Sequence, residues 1–517
     1  MTQPMHAAAT LTPTRPATVY GDRVVTWSQL RIRTARLAGA LRRVGIDRGG
    51  HTAILALNSD RYIEYLLGSW WAGAVVVPMN TRWSPGEHAY SLNDSETGIV
   101  FVDDAFVPLV EQIRDETEHE LVFIYIDEGE IPEGMLAYED LVEAGVAIDD
   151  DCADGDQLAG IYYTGGTTGF PKGVMLSHQA LWYNGLAVAK HAYFEPDSSY
   201  LHVAPMFHLA DVAGGMGATM AGATHFFVPR FTPEGVIRSL SEQSITHTLM
   251  VPTMVGMVLQ HPEFSADAFQ DLRYLIYGAS PMPEGLLRQT IEKLPNVGLI
   301  QGYGQTEMAP LVTTLSPDRH VIEGPLAGKL RSAGQVIFGC EVEIRDDAGS
   351  VLPHDEIGEI CARSPGSMNG YWKLPEQTAE TLHNGWVKTG DLAYMDEDGF
   401  IFIVDRAKDV IVSGGENVFS AEVESVISTH PSVAAVAVIG VPHETWGEAV
   451  HAIVIPVTNT RITEAEIIEH CHGLIAHYKC PKSVAFRDEP FPLSAASKVL
   501  KRELRAPYWE GKKRQIS

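Results

Sequence analysis

Eleven residues, YTGGTTGFPKG at positions 163–173, carry the plainest chemistry in this chain. Four glycines let successive backbone N–H groups turn inward without Cβ interference, three threonine hydroxyls add donors, and Lys172 brings positive charge. Such a segment suits a polyphosphate, and it reads as an ATP-phosphate loop. It is not of the Walker kind, because Lys172 stands between Pro171 and Gly173 rather than before a Ser or Thr that opens a helix. Residues 173–178 (GVMLSH) predict an apolar strand behind it. Flexible linkers are also rich in Gly and Thr, but they seldom carry an embedded Pro-Lys between apolar runs.

A loop of this kind needs a scaffold. Short apolar runs at 99–102, 121–126, 248–251 and 274–277 alternate with helical periodicity at 31–44, 234–243 and 284–294. That alternation predicts an α/β fold with largely parallel sheets and flanking helices, with ligand loops where strands end. The texture changes at 399–406 (GFIFIVDR), where a strand ends in a charged pair and a second glycine loop, SGGEN at 413–417, begins. Ser420 is expected to N-cap a helix with Glu422 and Glu424 near its positive end, followed by strands at 435–441 and 451–457. The boundary is placed at Asp405, between a large N-terminal domain of mixed sheets (1–404) and a small C-terminal α+β domain (405–517).

At 517 residues the chain is too long for one core. Its formal charge of −28 argues against a nucleic-acid partner. Basic residues outnumber acidic ones in the tail, between Lys479 and Arg514. Five cysteines are scattered without any CxxC, so neither a disulfide framework nor a zinc knuckle is suggested, and the cytoplasm is the expected compartment. No signal-peptide core stands at the N-terminus, and the longest apolar run, 66–79, falls short of a transmembrane span. The Arg-rich stretch 31–44 reads as an amphipathic helix of the core, ahead of one lying on a membrane. Peripheral membrane contact and a homodimer are both compatible with the sequence, which specifies neither.

Further along stand GYGQTE (302–307), TGD (389–391), DRAKD with SGGEN (405–417) and SKVLKREL (497–504). With YTGGTTGFPKG first and this order kept, the chain resembles the adenylate-forming superfamily of acyl-CoA synthetases, amino-acid adenylation domains and firefly luciferase. The resemblance covers nearly the full length. Five ordered motifs are far more specific than one glycine loop.

A carboxylate is a poor electrophile because hydroxide will not leave. The resemblance implies that a carboxylate oxygen attacks the α-phosphorus of ATP, pyrophosphate departs, and the acyl-AMP is then taken by the thiol of CoA. Two anions meet in the first step, which calls for positive charge at the α-phosphate and Mg²⁺ on the departing phosphates. By resemblance Lys498 approaches the carboxylate and α-phosphate, Thr306 meets the α-phosphate, and Glu307 holds Mg²⁺. Thr164, Gly165, Gly166, Thr167, Thr168, Gly169 and Lys172 would cradle the β- and γ-phosphates. Gly278, Ala279, Ser280 and Tyr303 would enclose adenine, and Asp391 with Arg406 would hold the ribose hydroxyls. His208 matches the family's segment between the ATP and thiol sites. The small domain is expected to swing about Asp405, so that Lys498 leaves and Gly414 and Gly415 come beside the pantetheine path.

Ala495, Ala496 and Ser497 precede Lys498 where the family usually has a glycine, which makes that loop stiffer and keeps Lys501 as a second candidate for its role. Gly165 stands where many members have serine, and Ser420 where many have proline. A standalone acyl-CoA ligase is the leading reading, because no carrier-domain serine motif follows and about 20 residues remain beyond Lys498, too few for another module. Gly214, Gly215, Gly217, Ala218, Val251 and Gly256 suggest a roomy pocket, and no Lys or Arg among them would pair a second carboxylate. The expected substrate is therefore an apolar acid, foremost a medium- or long-chain fatty acid. An aryl acid, an amino-acid adenylation enzyme (with Asp211 near the ammonium position but offset) and a catalytically weak nucleotide-binding paralogue are the alternatives.

Overall fold

The computed structural model describes residues 1–165, 171–458, 460–493 and 499–510. Among these residues the strands form four sheets. The first has six adjacent parallel strands, Gly298–Gly304, Tyr274–Gly278, His247–Met250, Ser199–His202, Thr224–Phe227 and Pro16–Tyr20, with antiparallel strands beyond both ends. The second runs Gly370–Tyr371, Lys172–Ser177, Leu158–Thr164, Val75–Pro78, His51–Leu55, Ile99–Val102, Val122–Tyr125, Leu136–Ala137, and it is parallel from Leu158–Thr164 onward. Strands such as Ile99–Val102 are buried along their whole length, as parallel strands covered on both faces must be. A third, antiparallel sheet contains Gly358–Arg363, Trp386–Met395 and Ile401–Arg406.

The helices follow from local chemistry. Trp27–Val44 starts at a capping box in which the Thr26 side chain accepts from Gln29 N–H and the Gln29 side chain accepts from Thr26 N–H, and it stops at Gly45, whose φ is 110°. Its Leu37 and Leu41 are wholly buried, packed inside the protein rather than facing a membrane. A Cβ on Gly68 would come within 2.5 Å of Leu37 Cδ2, so glycine lets helix Asp60–Trp71 approach closely. The apolar run at 66–79 divides into the end of that helix and the buried strand Val75–Pro78. Among the described residues no helix is long and apolar enough to cross a membrane.

The C-terminal part has its own antiparallel hairpin, Val433–His443 with Gly447–Pro456, flanked by Ile411–Ser413 and, in parallel, Ser483–Phe486. Its core holds Ile411, Val423, Ile427, Val438 and Val450. The architecture is thus the expected mixed α/β one, with a large N-terminal part and a small C-terminal part. One local expectation is corrected here. Ser420 is the first residue inside helix Ser420–Ser428, whose N-cap is Phe419. Its hydroxyl and N–H both donate to Asp405 Oδ2, so the side chain is spent on the neighbouring strand instead of on a cap.

Candidate active site

The glycine-rich run joins strands Leu158–Thr164 and Lys172–Ser177, an antiparallel hairpin in which Thr164 lies opposite Lys172. Its mouth is therefore set by the sheet. Gly165 has open space where a Cβ would go, whereas a Cβ on Gly173 would sit 2.6 Å from Ile161 Cγ2. Gly166, Thr167, Thr168 and Gly169 lie outside the described residues.

Strand Gly298–Gly304 carries the next group. Gly278 faces Gly302 across the sheet, and a Cβ on Gly278 would fall 2.1 Å from Gly302 O, so only glycine permits this approach. Ala279 follows at φ 62°, a left-handed turn that leads the chain off the strand end toward Ser280. Tyr303 Oη donates to Asp391 Oδ2 at 2.8 Å, and Arg406 Nε lies 2.7 Å from Asp391 Oδ1. Asp391 and Arg406 are cross-strand partners in the third sheet. Burial and the Asp391 carboxylate raise the Tyr303 phenol well above its usual pKa, so it stays a donor.

One turn further, Thr306–Met308 presents Glu307, whose Oε1 accepts from Tyr371 Oη at 2.8 Å. The Tyr371 ring lies under Lys172, with Nζ 5.2 Å from its centroid. Lys172, Tyr371 and Glu307 thus form one contact chain and Tyr303, Asp391 and Arg406 another, joined along the backbone by residues 303–307, with Gly278 next to Gly302 on the neighbouring strand. Among the described residues no group of three or more His, Cys, Asp or Glu side chains gathers as a metal nest. A single carboxylate is nevertheless what Mg²⁺ commonly takes from a protein when phosphates and water supply its other oxygens.

Three residues in or near this cluster belong to no motif of the sequence. Tyr371 is one. Asn184, buried in helix His178–His191, receives Leu311 N–H and donates to Leu311 O and Met308 O, which secures the turn behind Glu307. Asn58, 4% exposed, accepts from Met206 N–H at 2.8 Å and donates to Ala204 O and Val228 O. It holds the loop that leads to His208. An asparagine at the end of an apolar strand or inside an apolar helix was the available signal, since a buried amide must find partners.

His208 N-caps helix Leu209–Ala221, its Nδ1 accepting from Ala210 N–H at 3.3 Å. The small residues behind it do not leave a roomy pocket. A Cβ on Gly214 would be 2.3 Å from Tyr200 Oη, on Gly215 2.8 Å from His202 Cε1, and on Gly217 2.8 Å from Val188 Cγ1. They let the helix pack tightly, so the size argument drawn from them fails. Asp211 is wholly buried and bonded to His202 Nδ1 and Tyr200 Oη, which removes it as an ammonium ligand.

In the C-terminal part Gly414 and Gly415 form the turn of the hairpin Ile411–Ser413 with Glu416–Val418, at φ 64° and 89°. Two consecutive positive φ values are what such a two-residue turn demands. Gly414 N–H donates to Trp446 O, so the turn is tied into its own sheet. Lys498 lies outside the described residues. Lys501 is occupied: Nζ donates to Ser420 Oγ at 2.7 Å and pairs with Glu424 Oε1 at 2.6 Å. Burial would lower its pKa, but the Glu424 and Asp405 carboxylates outweigh that and raise it. A buried, ion-paired ammonium is a poor candidate for a reacting lysine.

Fold and cluster together define an adenylate-forming enzyme. The AMP-binding enzyme family matches residues 5–372, and the AMP-binding enzyme C-terminal domain matches residues 422–498. The chain belongs to this family, within the superfamily that contains the CoA ligases. It is 36% identical over 506 residues to a feruloyl-CoA synthase of Amycolatopsis sp, covering 96% of each chain. It is 35% identical over 488 residues to the long-chain-fatty-acid–CoA ligase FadD13 of Mycobacterium tuberculosis, covering 94% of this chain and 93% of that one. The structure of o-succinylbenzoate CoA synthetase (MenE) from Bacillus subtilis, in complex with the acyl-adenylate intermediate OSB-AMP, superposes with a TM-score of 0.85 at 30% identity over 98% of both chains.

Proposed function

We propose that this protein is an AMP-forming acid–thiol ligase that activates an apolar monocarboxylic acid with ATP and transfers the acyl group to CoA. The observation that carries this reading is the pair of contact chains brought together by the segment 303–307: Lys172 through Tyr371 to Glu307, and Tyr303 through Asp391 to Arg406. Relatives that act on feruloyl and on long-chain fatty acyl groups support the reaction class.

In this reading Thr164, Lys172 and the intervening loop receive the β- and γ-phosphates. Asp391 has spent one lone pair on each oxygen, and a carboxylate offers about four acceptor sites, so both oxygens remain able to accept ribose hydroxyls. Gly278, Ala279, Ser280 and Tyr303 frame the base. Glu307, with the Thr306 hydroxyl beside it, would hold Mg²⁺, which when bound offsets the charge on the phosphates. Lys498 stabilises charge at the α-phosphate as the substrate carboxylate attacks and pyrophosphate leaves. The part from 405 onward then turns about Asp405, Lys498 withdraws, and the Gly414–Gly415 turn takes its place as the thiol attacks near His208. The bonds from Ser420 to Asp405 support Asp405 as the end of the C-terminal unit.

The acid is an apolar monocarboxylate. Asp211 is sealed, which disfavours an α-amino acid. With the packing role of Gly214, Gly215 and Gly217, three of the residues that suggest a roomy pocket no longer support it, so aryl acids are tested beside fatty acids. Five free cysteines suit a reducing compartment such as the cytoplasm. The test is pyrophosphate release from Mg-ATP with a panel of aryl and fatty acids, with and without CoA, alongside Lys498→Ala. Turnover that depends on acid and CoA and collapses in the variant is expected. Turnover that survives Lys498→Ala overturns the Lys498 assignment, and ATP binding without any pyrophosphate release overturns the ligase.

A further inference from the structure

The strand Gly370–Tyr371 adds to the edge of the phosphate hairpin, with Tyr371 opposite Val174. Side chains alternate along a strand, so Lys172 and Val174 share a face, and Tyr371 is the diagonal neighbour of Lys172 on that face. The register by itself therefore brings the aromatic ring beneath the ammonium, 5.2 Å from Nζ to centroid. The hydroxyl at the other end of the ring reaches Glu307 Oε1 at 2.8 Å.

The mount is rigid. Gly370 sits at φ 131°, and a Cβ there would fall 2.7 Å from Thr378 Cγ2. Thr378 Oγ1 accepts from Tyr371 N–H at 2.8 Å and donates to Leu374 O at 2.8 Å. Met368 N–H donates to Glu307 O, so the same segment holds the backbone and the side chain of Glu307. Tyr371 is 7% exposed.

We propose that Tyr371 is a positioning residue that couples the lysine of the glycine-rich loop to the carboxylate that would hold Mg²⁺: its hydroxyl fixes the rotamer of Glu307 through Oε1 and leaves Oε2 available as a ligand, while its ring face restrains the Lys172 ammonium. The proposal rests on the assignments of Lys172 and Glu307 made above. Ordering a ligand before the cation arrives removes an entropic cost of binding, and loss of such an outer partner commonly weakens metal affinity about 10- to 100-fold.

The test is calorimetric titration of the full-length protein with ATP in the absence of any acid, at graded Mg²⁺ and in EDTA, on wild type, Tyr371→Phe, Tyr371→Leu and Glu307→Gln. Tyr371→Phe keeps the ring and removes the bond to Glu307. The Mg²⁺ concentration for half-maximal ATP binding should rise about tenfold in Tyr371→Phe, with ATP binding in EDTA and thermal stability unchanged. Tyr371→Leu should also weaken ATP in EDTA, and Tyr371→Phe should add nothing on top of Glu307→Gln. Wild-type Mg²⁺ dependence in Tyr371→Phe overturns the proposal, as does an equal loss with and without Mg²⁺. Wild-type ATP binding that ignores Mg²⁺ overturns the Glu307 assignment itself, a failure distinct from that of Tyr371 alone.

Discussion

In two places of this protein a tyrosine hydroxyl and a basic side chain share one aspartate. Tyr303 and Arg406 meet at Asp391, and Tyr200 and His202 meet at Asp211. The first lies at strand ends and its arginine is 42% exposed. The second lies under a helix, with Tyr200, His202 and Asp211 wholly buried, and continues through His225 to Thr219. Residue types alone do not separate a ligand site from an internal strut. What differs is the rim: Asp211 has no exposed partner, whereas Asp391, itself only 7% exposed, carries an arginine that is 42% exposed and so lies next to a surface a ligand can reach.

That contrast can be broken by experiment. The largest effect is expected in the sealed cluster: Asp211→Ala should destabilise the fold by about 4 kcal/mol, since it strands buried polar groups, as read by denaturant unfolding. A loss below 1 kcal/mol would mean that the network is not a strut. At the other aspartate, Asp391→Ala strands the Tyr303 hydroxyl but leaves a half-exposed arginine that water can reach, so the stability loss should be smaller, about 2 kcal/mol, while adenylation kcat/KM falls about a hundredfold, the worth of two hydrogen bonds to a charged group. Similar stability losses in both variants would erase the distinction.

Acid should find the sealed regions first. Burial lowers His88, His247 and His320 from 6.5 to about 4, and burial with the His202 neighbour lowers His225 well below 6.5. These imidazoles are neutral when folded and take protons on unfolding. Their stabilisation is complete above pH 6.5 and is lost as pH falls toward 4, at about 1.4 kcal/mol per unit for each histidine. Unfolding free energies measured from pH 7.5 to 5 should fall, and a flat profile would refute the burial. The smallest effect is Arg406→Lys, which keeps the charge but loses the planar fork: ATP affinity should fall about threefold with no change in the melting temperature. A clear stability loss there would place Arg406 with the struts.

Much of the fold was legible because its signals are local. The strand at 99–102 and the helices at 234–243 and 284–294 appear within a residue of where apolar periodicity put them. The helix at 31–44 extends back to a capping box at Thr26. The cap expected at Ser420 does not form, because capping rules weigh only the next few residues, whereas Asp405, fifteen positions away, takes the same hydroxyl. The glycines at 214, 215 and 217 suggest space from sequence, and in the fold they provide tight packing. Which of the two a glycine provides depends on what faces it, here Tyr200, His202 and Val188.

The sequence by itself determined the phosphate loop, the order of the motifs and the alternation that builds an α/β scaffold, since each depends on neighbours along the chain. Only the tertiary structure decided that Tyr371 joins Lys172 to Glu307, that Asn58 holds the loop before His208, that Lys501 is consumed in an ion pair and that Asp211 is sealed. The physical reason is reach: Tyr371 and Glu307 are 64 positions apart, and Asn58 and Met206 are 148 apart. A hydrogen bond requires about 3 Å in space and leaves no trace in local periodicity.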